Sequence, residues 1–438
     1  MLLVLKNFRL VDETTDTHGS IIVEDGIIKE VYPGTDDGLD FVLAEKEIEQ
    51  SLRRADAVLD GGSAGQNSGQ AGSFVLMPAF VDLHAHFREP GFSQKETLES
   101  ASLAAAAGGY GTIICMANTK PVTDTIERAC YIKNRCDALG LVDVYPVLSL
   151  TKGMEGKELS EITLLNSNRE EKENSIVRLL SEDGKDVADD KLFLSAMKEA
   201  RRLGVSVSCH CDLDGENNAA KRALELGEQA QCRIHIAHVS TKEAAAMVRQ
   251  AKKKSALFTC EVTPHHLALA EKDAVAMGAE THGQVNPPLR TEEDRQALIE
   301  ALVDGTVDVI ATDHAPHTNA DKENGAPGFT GLETAFAVCY STLVKPGNIN
   351  LSKLSSLMSA APARILGLDK ENAGGRCGRG KIAPGLRADF AIADISAAWT
   401  VEPGTFMSRG KNSPFAGKEL TGKIIKTIRG GRFVFDQH

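Results

Sequence analysis

The stretch 74–312 repeats one pattern eight times, and this repetition constrains the fold more than any other feature of the sequence. A short apolar run is followed by a polar turn and then by a segment of helical composition, as in 95–107 and 191–203. The apolar runs are 74–84, 111–116, 142–150, 175–181, 205–209, 233–238, 256–262 and 307–312. Alternating strands and helices favour parallel strands, and eight such units can close into a barrel. We therefore predict an α/β protein built on a (β/α)8 TIM-type barrel, with a doubly wound open sheet as the alternative.

The two ends of the chain follow a different pattern, in which short strand-like runs succeed one another. Residues 2–31 contain an Asp25-Gly26 turn signal, and the β-rich run 423–436 contains a Gly430-Gly431 turn signal. We expect strands from both ends to pair into a small composite β-sandwich domain. The predicted domains are 1–72 and 369–438, which form this unit, and the barrel 73–368. Helices are predicted over 331–344 and 351–366, and the Gly-rich stretch 61–73 is predicted to be a flexible surface loop.

Composition and charge exclude several classes of protein. The formal net charge of −12 disfavours a nucleic-acid surface, which needs a basic patch. We find neither a signal peptide nor an apolar run of about 18 residues, so a cytoplasmic protein without a membrane partner is predicted. Several of the nine cysteines lie in apolar runs, which favours reduced thiols. Cys209 and Cys211 flank His210, but their spacing is not that of the usual zinc-binding pair.

Titratable residues follow the predicted strands at their carboxyl ends, where the active groups of such barrels lie. Histidines separated by one residue in a strand face the same side, so both can approach one ion. A lone buried histidine is more often a hydrogen-bonded core residue, but joint placement at successive strand ends favours a metal site. Nitrogen and oxygen ligands of this kind suit zinc. The residues concerned are His84, His86, Asp183, His210, His238 and Asp313.

Several motifs carry a family resemblance. The segments "VDLHAHFREPGFSQKET", "CMANTKPVTD", "LTKGMEGKELSE", "HIAHVSTKEA", "EVTPHHLAL", "VNPPLRTEEDRQALIEAL" and "ATDHAPHT" resemble bacterial dihydroorotases of the amidohydrolase superfamily, and the match runs nearly end to end. The resemblance implies reversible cyclisation of N-carbamoyl-L-aspartate to L-dihydroorotate in de novo pyrimidine (UMP) biosynthesis. It also implies one or two zinc ions per subunit, with Asp313 near the metal-bound hydroxide as the catalytic proton shuttle. The implied metal ligands are His84, His86, Asp183, His210 and His238.

Asp183 distinguishes this chain from many members of the superfamily. Those members bridge two metals with a carboxylated lysine at the end of the fourth strand, but 175–181 contains no lysine. The "SEDG" segment resembles the aspartate-bridged bacterial form, in which the residue before glycine, here Asp183 rather than Glu182, is the ligand. The alternative is that both acids belong to a solvated turn.

The resemblance assigns the substrate carboxylate to Arg88, Asn118 and His317, and a further substrate contact to Asn286. An arginine suits this role because its planar guanidinium matches a carboxylate. Alternatively, Arg88 forms a surface salt bridge with Glu89 or Glu96. Arg290 is a second substrate contact or a structural clamp on the Pro287-Pro288 turn.

Four further histidines have no derived catalytic role. His235 lies three residues before His238, so we expect it to face the other way and to pack in the barrel. His265, His266 and His314 belong to the quoted motifs.

The sequence departs from the family pattern between His210 and His235, where the 24 residues 211–234 form a shorter stretch than in bacterial relatives. Competing functions are an allantoinase- or dihydropyrimidinase-like cyclic amidohydrolase and a non-catalytic, dihydroorotase-like partner of aspartate transcarbamoylase. Retention of every implied ligand favours the enzyme. A homodimer is expected, and association with aspartate transcarbamoylase stays open.

Overall fold

A computed structural model describes residues 1–34, 39–64, 74–165, 176–370 and 378–437. Its strands, in chain order, are β1 (Leu2–Val11), β2 (Asp16–Glu24), β3 (Ile27–Pro33), β4 (Ala57–Asp60), β5 (Phe74–Pro78), β6 (Phe80–Ala85), β7 (Tyr110–Cys115), β8 (Asp143–Pro146), β9 (Leu148–Ser149), β10 (Leu179–Ser181), β11 (Ser206–Cys209), β12 (Ile234–Ile236), β13 (Phe258–Val262), β14 (Val309–Ile310), β15 (Phe390–Thr400), β16 (Glu419–Arg429) and β17 (Arg432–Asp436).

Of the described α-helices, the first two precede the barrel, and the others alternate with its strands or follow them. They are α1 (Leu39–Leu52), α2 (Gly61–Ala64), α3 (Leu98–Ala107), α4 (Ile126–Leu139), α5 (Asp190–Leu203), α6 (Glu216–Ala230), α7 (Lys242–Lys254), α8 (Pro264–Ala268), α9 (Glu271–Met277), α10 (Glu292–Val303), α11 (Asn319–Glu323), α12 (Ala335–Cys339), α13 (Leu351–Ser355) and α14 (Ala361–Ile365). Short π-helical turns over Tyr340–Val344 and Ser356–Ala360 continue α12 and α13. Helices therefore occupy both regions predicted after the eighth strand. In the described part of the chain, no helix has the length and apolar character needed to cross a membrane.

The predicted eight-stranded barrel is confirmed. Parallel pairing joins β6, β7 and β8 in one run and β9 to β14 in another. β8 and β9 are two parts of the third barrel strand, and between them the amide of Val147 donates to the carbonyl of Cys115 at 2.8 Å. The barrel closes between the eighth and first strands, where the amide of His86 donates to the carbonyl of His314 at 2.8 Å.

The predicted first strand, 74–84, is in fact two strands with different roles. β5 pairs with β1 and β15 in the terminal sheet, and only β6 belongs to the barrel. Leu76 packs in the core of the terminal sheet, whereas Val75 and Met77 pack in the barrel core. Both faces of β5 are therefore buried, and its apolar run continues into β6 without a polar residue to mark the break.

Strands from both chain ends combine, as predicted. They form one mixed eight-stranded sheet in the order β17-β16-β15-β5-β1-β2-β3, with β4 beside β1. Side chains from this sheet, among them Leu5, Ile21 and Phe390, form a separate hydrophobic core. Of the predicted flexible loop 61–73, residues 61–64 form α2, and the rest lies outside the described residues.

A buried cluster of charges joins the start of β8 to the carboxyl-terminal segment. The Asp143 carboxylate pairs with Arg379 at 2.7 Å and Arg429 at 2.5 Å, and also with Arg387. Burial alone would raise the pKa of Asp143, but the three guanidinium charges hold it well below its ordinary value. This cluster connects the barrel to the terminal sheet.

Replacing Asp143 with asparagine should destabilise the protein strongly, because Arg379 would keep a buried charge without its partner. Loss of one member of a buried pair costs ~3–5 kcal/mol in the free energy of unfolding. Since the native pKa of Asp143 is depressed, its contribution is fully present above the unfolded value of about 3.9 and is lost as the pH falls below it. Denaturant titration at pH 7 measures the loss. The control is Glu293→Gln at an exposed pair with Lys242, and equal losses in both variants would contradict the assignment.

Candidate metal centre

Two buried groups of possible metal ligands lie at the carboxyl face of the barrel. His84, His86 and Asp183 form one, and Asp183, His210 and His238 form the other, with ligand atoms within 4.8 Å of one another in each group. Asp183 follows β10 and belongs to both. Its Oδ1 lies 3.1 Å from Nε2 of His84 and 3.3 Å from Nδ1 of His210, whereas its Oδ2 lies 3.6 Å from Nε2 of His86. One carboxylate thus spans the two groups.

Asp313 follows the eighth barrel strand, which lies beside the first strand, and it contacts the histidines of the first group. Its Oδ1 lies 3.1 Å from Nε2 of His86 and 3.6 Å from Nε2 of His84. The backbone at Asp313 has φ 48°, and Arg88 and His238 have φ 61° and 32°. Positive φ is uncommon in residues other than glycine, and residues that adopt it are often found at functional sites. At these positions the chain turns away from the regular strand and directs side chains into the barrel mouth.

The orientation of His235 differs from the prediction. It packs inside the barrel, as expected, but it does not face away from the site. Its Nε2 lies 3.0 Å from Glu261, whose other oxygen contacts His84. Alternation of side chains holds only within a strand, and His238 lies beyond the end of β12 at a residue with positive φ. The three-residue spacing therefore does not fix the relative orientation of the two histidines.

The donor set fits a metal cation. Nε2 of His84 is buried and lacks a hydrogen-bond partner among the described residues, although buried polar atoms are rarely left unpaired. Nε2 of His238 lies 2.8 Å from Nδ1 of His210, so two imidazole nitrogens converge beside Asp183. Imidazole and carboxylate are ligands that zinc accepts.

The electrostatics of the cluster favour ionised carboxylates. Burial opposes ionisation, but the neighbouring imidazoles, His84 foremost, hold the pKa values of Asp183 and Asp313 well below their ordinary range. Burial also opposes a charge on His84, but the same two carboxylates raise its pKa well above the ordinary value. Burial and the nearby His210 and His84 lower the pKa of His238 to about 3. The site therefore places two ionised carboxylates beside His84, whose charged form they favour, and keeps His238 neutral.

Arg88 and His317 line a cavity of about 250 Å³ beside these groups. Arg88 bonds neither Glu89 nor Glu96: its Nε donates to the carbonyl of Pro316 at 3.2 Å, and its Nη2 lies 3.1 Å from Nε2 of His317. The structure thus does not support the surface salt bridge considered as an alternative for Arg88. The cavity lining also includes Asn118, Asn286, Ala315, Pro327 and Gly328.

Both predicted asparagines reach the metal groups. Oδ1 of Asn118 lies 2.9 Å from Nδ1 of His86, and its amide donates to Asp183 at 3.1 Å. The amide of Asn286 lies 3.1 Å from Nε2 of His210. His266 anchors the Asn286 loop, because its Nε2 lies 3.1 Å from the carbonyl of Pro287.

Other motif residues take structural positions. Arg290 donates to Ser240 at 2.9 Å and pairs with Glu216, so it clamps neighbouring loops. Glu182 is buried and accepts hydrogen bonds from Leu150 and Thr151, away from the cluster. The two acids of "SEDG" therefore face different ways, and neither lies in a solvated turn.

The remaining motif histidines and the cysteines beside His210 are buried. His265 packs edge-on against Phe329, and Nδ1 of His314 accepts the amide of Gly331. The thiols of Cys209 and Cys211 belong to neither group of possible ligands. The cysteines of the described ranges are free thiols.

Two carboxylates near the site escaped the sequence reasoning. Asp82 bonds the amide of Thr312 at 3.0 Å and so ties the first barrel strand to the eighth, and burial raises its pKa to about 7. Glu261 supports His84. The available signal was the presence of each acid inside an otherwise apolar run, since a buried carboxylate needs partners.

The cavity beside the possible metal ligands is not the largest one in the described part of the chain. A larger cavity of about 570 Å³ lies between α12 and the strands β15 to β17, lined by Phe336, Trp399 and Phe406 among others. None of the described clusters of metal-ligating residues lies there. The smaller cavity is the candidate active site because the convergent donors surround it.

Comparison with known proteins supports this assignment. The amidohydrolase family profile matches residues 75–434. A dihydroorotase from Clostridium botulinum (strain Eklund 17B) is 36% identical, with 99% of this chain and 100% of the relative covered. A dihydroorotase from Geobacillus sp. (strain WCH70) is 38% identical, with 83% of this chain and 88% of the relative covered.

Solved structures show the same fold at lower identity. The L-hydantoinase (dihydropyrimidinase) from Arthrobacter aurescens has a TM-score of 0.82 at 24% identity, covering 100% of this chain and 97% of that protein. The dihydropyrimidinase from Brevibacillus agri NCHU1002 has a TM-score of 0.79 at 19% identity, covering 100% and 95%. The predicted family resemblance is confirmed by sequence, and the barrel by structure. The chain therefore belongs to the amidohydrolase family, and its sequence groups it with the dihydroorotases.

Proposed function

We propose that this protein is a zinc-dependent dihydroorotase that interconverts N-carbamoyl-L-aspartate and L-dihydroorotate in pyrimidine synthesis. The observation that carries the proposal is the position of Arg88: its partly buried guanidinium shares one cavity with four of the five predicted ligands, which are His86, Asp183, His210 and His238. A carboxylate-bearing cyclic amide fits such a cavity, since one wall can bind the carboxylate while the other supports hydrolysis. The relatives named dihydroorotase support the same reaction.

In this proposal His84, His86, Asp183, His210 and His238 would hold the metal. Asp183 belongs to both groups, which supports two metal positions and the aspartate-bridged form of the site. Bound zinc supplies a water molecule of lowered pKa and polarises the scissile carbonyl. The protein contributes a buried, charged setting in which these effects are strong.

Asp313 is the proposed proton shuttle. Its carboxylate is ionised and lies at the edge of the cavity, within 3.1 Å of His86, so it can accept a proton from the attacking water. During hydrolysis it delivers that proton to the departing amide nitrogen of the ring. During ring closure the same carboxylate takes the proton from the carbamoyl nitrogen.

The substrate carboxylate is assigned to Arg88, Asn118 and His317, and Asn286 is a further substrate contact. The four side chains line the same cavity as the metal groups. The alternative, an allantoinase- or dihydropyrimidinase-like enzyme, is suggested by the names of the structural neighbours. Their sequence identity is low, so the similarity supports a common fold and not a common substrate. Allantoin and hydantoin lack the ring carboxylate, so activity on them tests this alternative directly.

Cytoplasmic location, a homodimer and association with aspartate transcarbamoylase stay predictions from the sequence. A non-catalytic role as a partner of that enzyme would require no intact metal site. The arrangement of four histidines around Asp183 favours catalysis instead.

Replacing His84 or His238 with alanine should remove zinc and activity while the barrel still folds, because each change removes a metal ligand. Metal analysis of the purified variants and loss of dihydroorotate absorbance measure the two effects. His282→Ala, at an exposed histidine outside the cluster, is the control. A variant at either ligand that kept both its zinc and full activity would refute the assignment.

Arg88→Met should lower kcat/KM for dihydroorotate by ~10-fold to 100-fold, because a charge-assisted hydrogen bond worth ~1.5–3 kcal/mol is lost. Zinc content should not change, since Arg88 belongs to neither group of possible ligands. Steady-state kinetics and metal analysis on the same preparation test this. An unchanged kcat/KM would show that the carboxylate binds elsewhere.

Asp313→Asn should slow ring opening and ring closing together by ~100-fold to 10,000-fold, because the amide keeps the shape of the side chain but cannot accept a proton. Zinc should stay largely bound. If Asp313 acts mainly as a ligand, zinc is lost and added zinc restores the rate. Near-normal rates in both directions would exclude both roles.

A further inference from the structure

We propose that Glu261 and His235 are positioning residues that fix the tautomer of His84, so that its Nε2 presents a lone pair to the metal position. The inference rests on the proposed metal-dependent function, but it concerns residues behind the predicted ligands. Neither residue touches the candidate active-site cavity.

The three side chains form one buried chain of hydrogen bonds across the barrel interior. Oε1 of Glu261 lies 2.9 Å from Nδ1 of His84, and its Oε2 lies 3.0 Å from Nε2 of His235. All three side chains are at most 1% exposed, so water does not compete for these bonds. At the far end, Nδ1 of His235 lies 2.9 Å from the hydroxyl of Thr259.

The contacts are compatible with one consistent arrangement of protons in the metal-bound state. A carboxylate between two imidazoles accepts from both, so His84 carries its hydrogen on Nδ1 and His235 on Nε2. His235 then accepts the Thr259 hydroxyl hydrogen at its bare Nδ1. The nitrogen left bare on His84 is Nε2, which faces Asp183 at 3.1 Å and lacks a hydrogen-bond partner in the described part of the chain.

His84 differs in this respect from the other predicted histidine ligands. His86 is held from behind by the amide oxygen of Asn118, and Nε2 of His210 lies beside Asn286. Nδ1 of His238 has no partner among the described residues. Among the predicted histidine ligands, all of which lie in the described part of the chain, only His84 has a carboxylate bonded to the ring nitrogen that faces away from the metal position. Such a carboxylate fixes the ring orientation and increases ligand basicity.

The inference predicts a loss of metal affinity without loss of a ligand. Glu261→Gln keeps the shape, but its amide group can accept from only one imidazole and turns a donor towards the other. Apparent zinc affinity, measured by competition with a chelator, should fall ~10-fold to 100-fold. In ¹⁵N-histidine NMR spectra of the zinc-loaded protein, the Nδ1–H signal of His84, assigned by through-space contacts to its neighbours, should shift or disappear.

Two comparisons separate positioning from general stability. Glu216→Gln removes another buried carboxylate, which bonds Ser240 and Arg290, and should leave zinc affinity within about threefold of the wild type. At His235, glutamine can still donate to Glu261 and should retain most of the affinity, whereas leucine leaves the carboxylate oxygen unpaired and should reduce it.

The inference is overturned if Glu261→Gln binds zinc as tightly as the wild type with the His84 signal unchanged, or if Glu216→Gln weakens binding equally. It also fails if His235 carries its proton on Nδ1 in metal-free wild-type protein. That tautomer can be measured whether or not the protein takes up zinc. Failure of the wild type to bind zinc would instead refute the proposed function.

Discussion

Closure of the barrel between β14 and β6 is the constraint on which the rest of the structure depends. Asp82 bonds the backbone and hydroxyl of Thr312, and the amide of His86 donates to the carbonyl of His314. These bonds join segments about 230 residues apart in the sequence and bring Asp313 next to the histidine pair of the first strand. Without this closure the His–Asp groups would not lie next to the cavity that Arg88 and His317 line. The stability of the barrel and the geometry of the site are therefore coupled through a few buried bonds.

Much of the site was predictable because its residues follow strands. The sequence placed His84, His86, Asp183, His210, His238 and Asp313 at strand ends, and barrel geometry then requires such positions to converge. The distinction between Asp183 and Glu182 came from the family resemblance, and the structure supplies its physical basis, because the two carboxylates bond different neighbours. Local pattern and family motif together thus predicted the centre of the site.

The supporting contacts were not predictable, since they depend on long-range packing. Glu261 lies 177 residues from His84, and no periodicity relates the two. The break between β5 and β6 was hidden because both strands are buried on both faces. His235 was assigned the wrong orientation because strand alternation was extended to His238, beyond the end of β12. Each error arose where tertiary structure overrides a local rule.

The hydrogen-bond pattern around His317 leaves the guanidinium of Arg88 facing a hydrogen-bond donor. Burial and the adjacent cations Arg88, Lys95 and Lys322 lower the pKa of His317 to about 3, so the ring is neutral and has one hydrogen. Lys95 lies 3.3 Å from Nδ1 and can only donate, which places the ring hydrogen on Nε2, where the carbonyl of Pro327 accepts it at 2.9 Å. The Nη2 of Arg88, 3.1 Å from that Nε2, then faces another donor. Because the guanidinium of Arg88 lies against a donor, an anion that accepts a hydrogen bond from it gives a large gain in binding free energy. This arrangement favours a ligand with a carboxylate over an uncharged cyclic ligand in the same cavity.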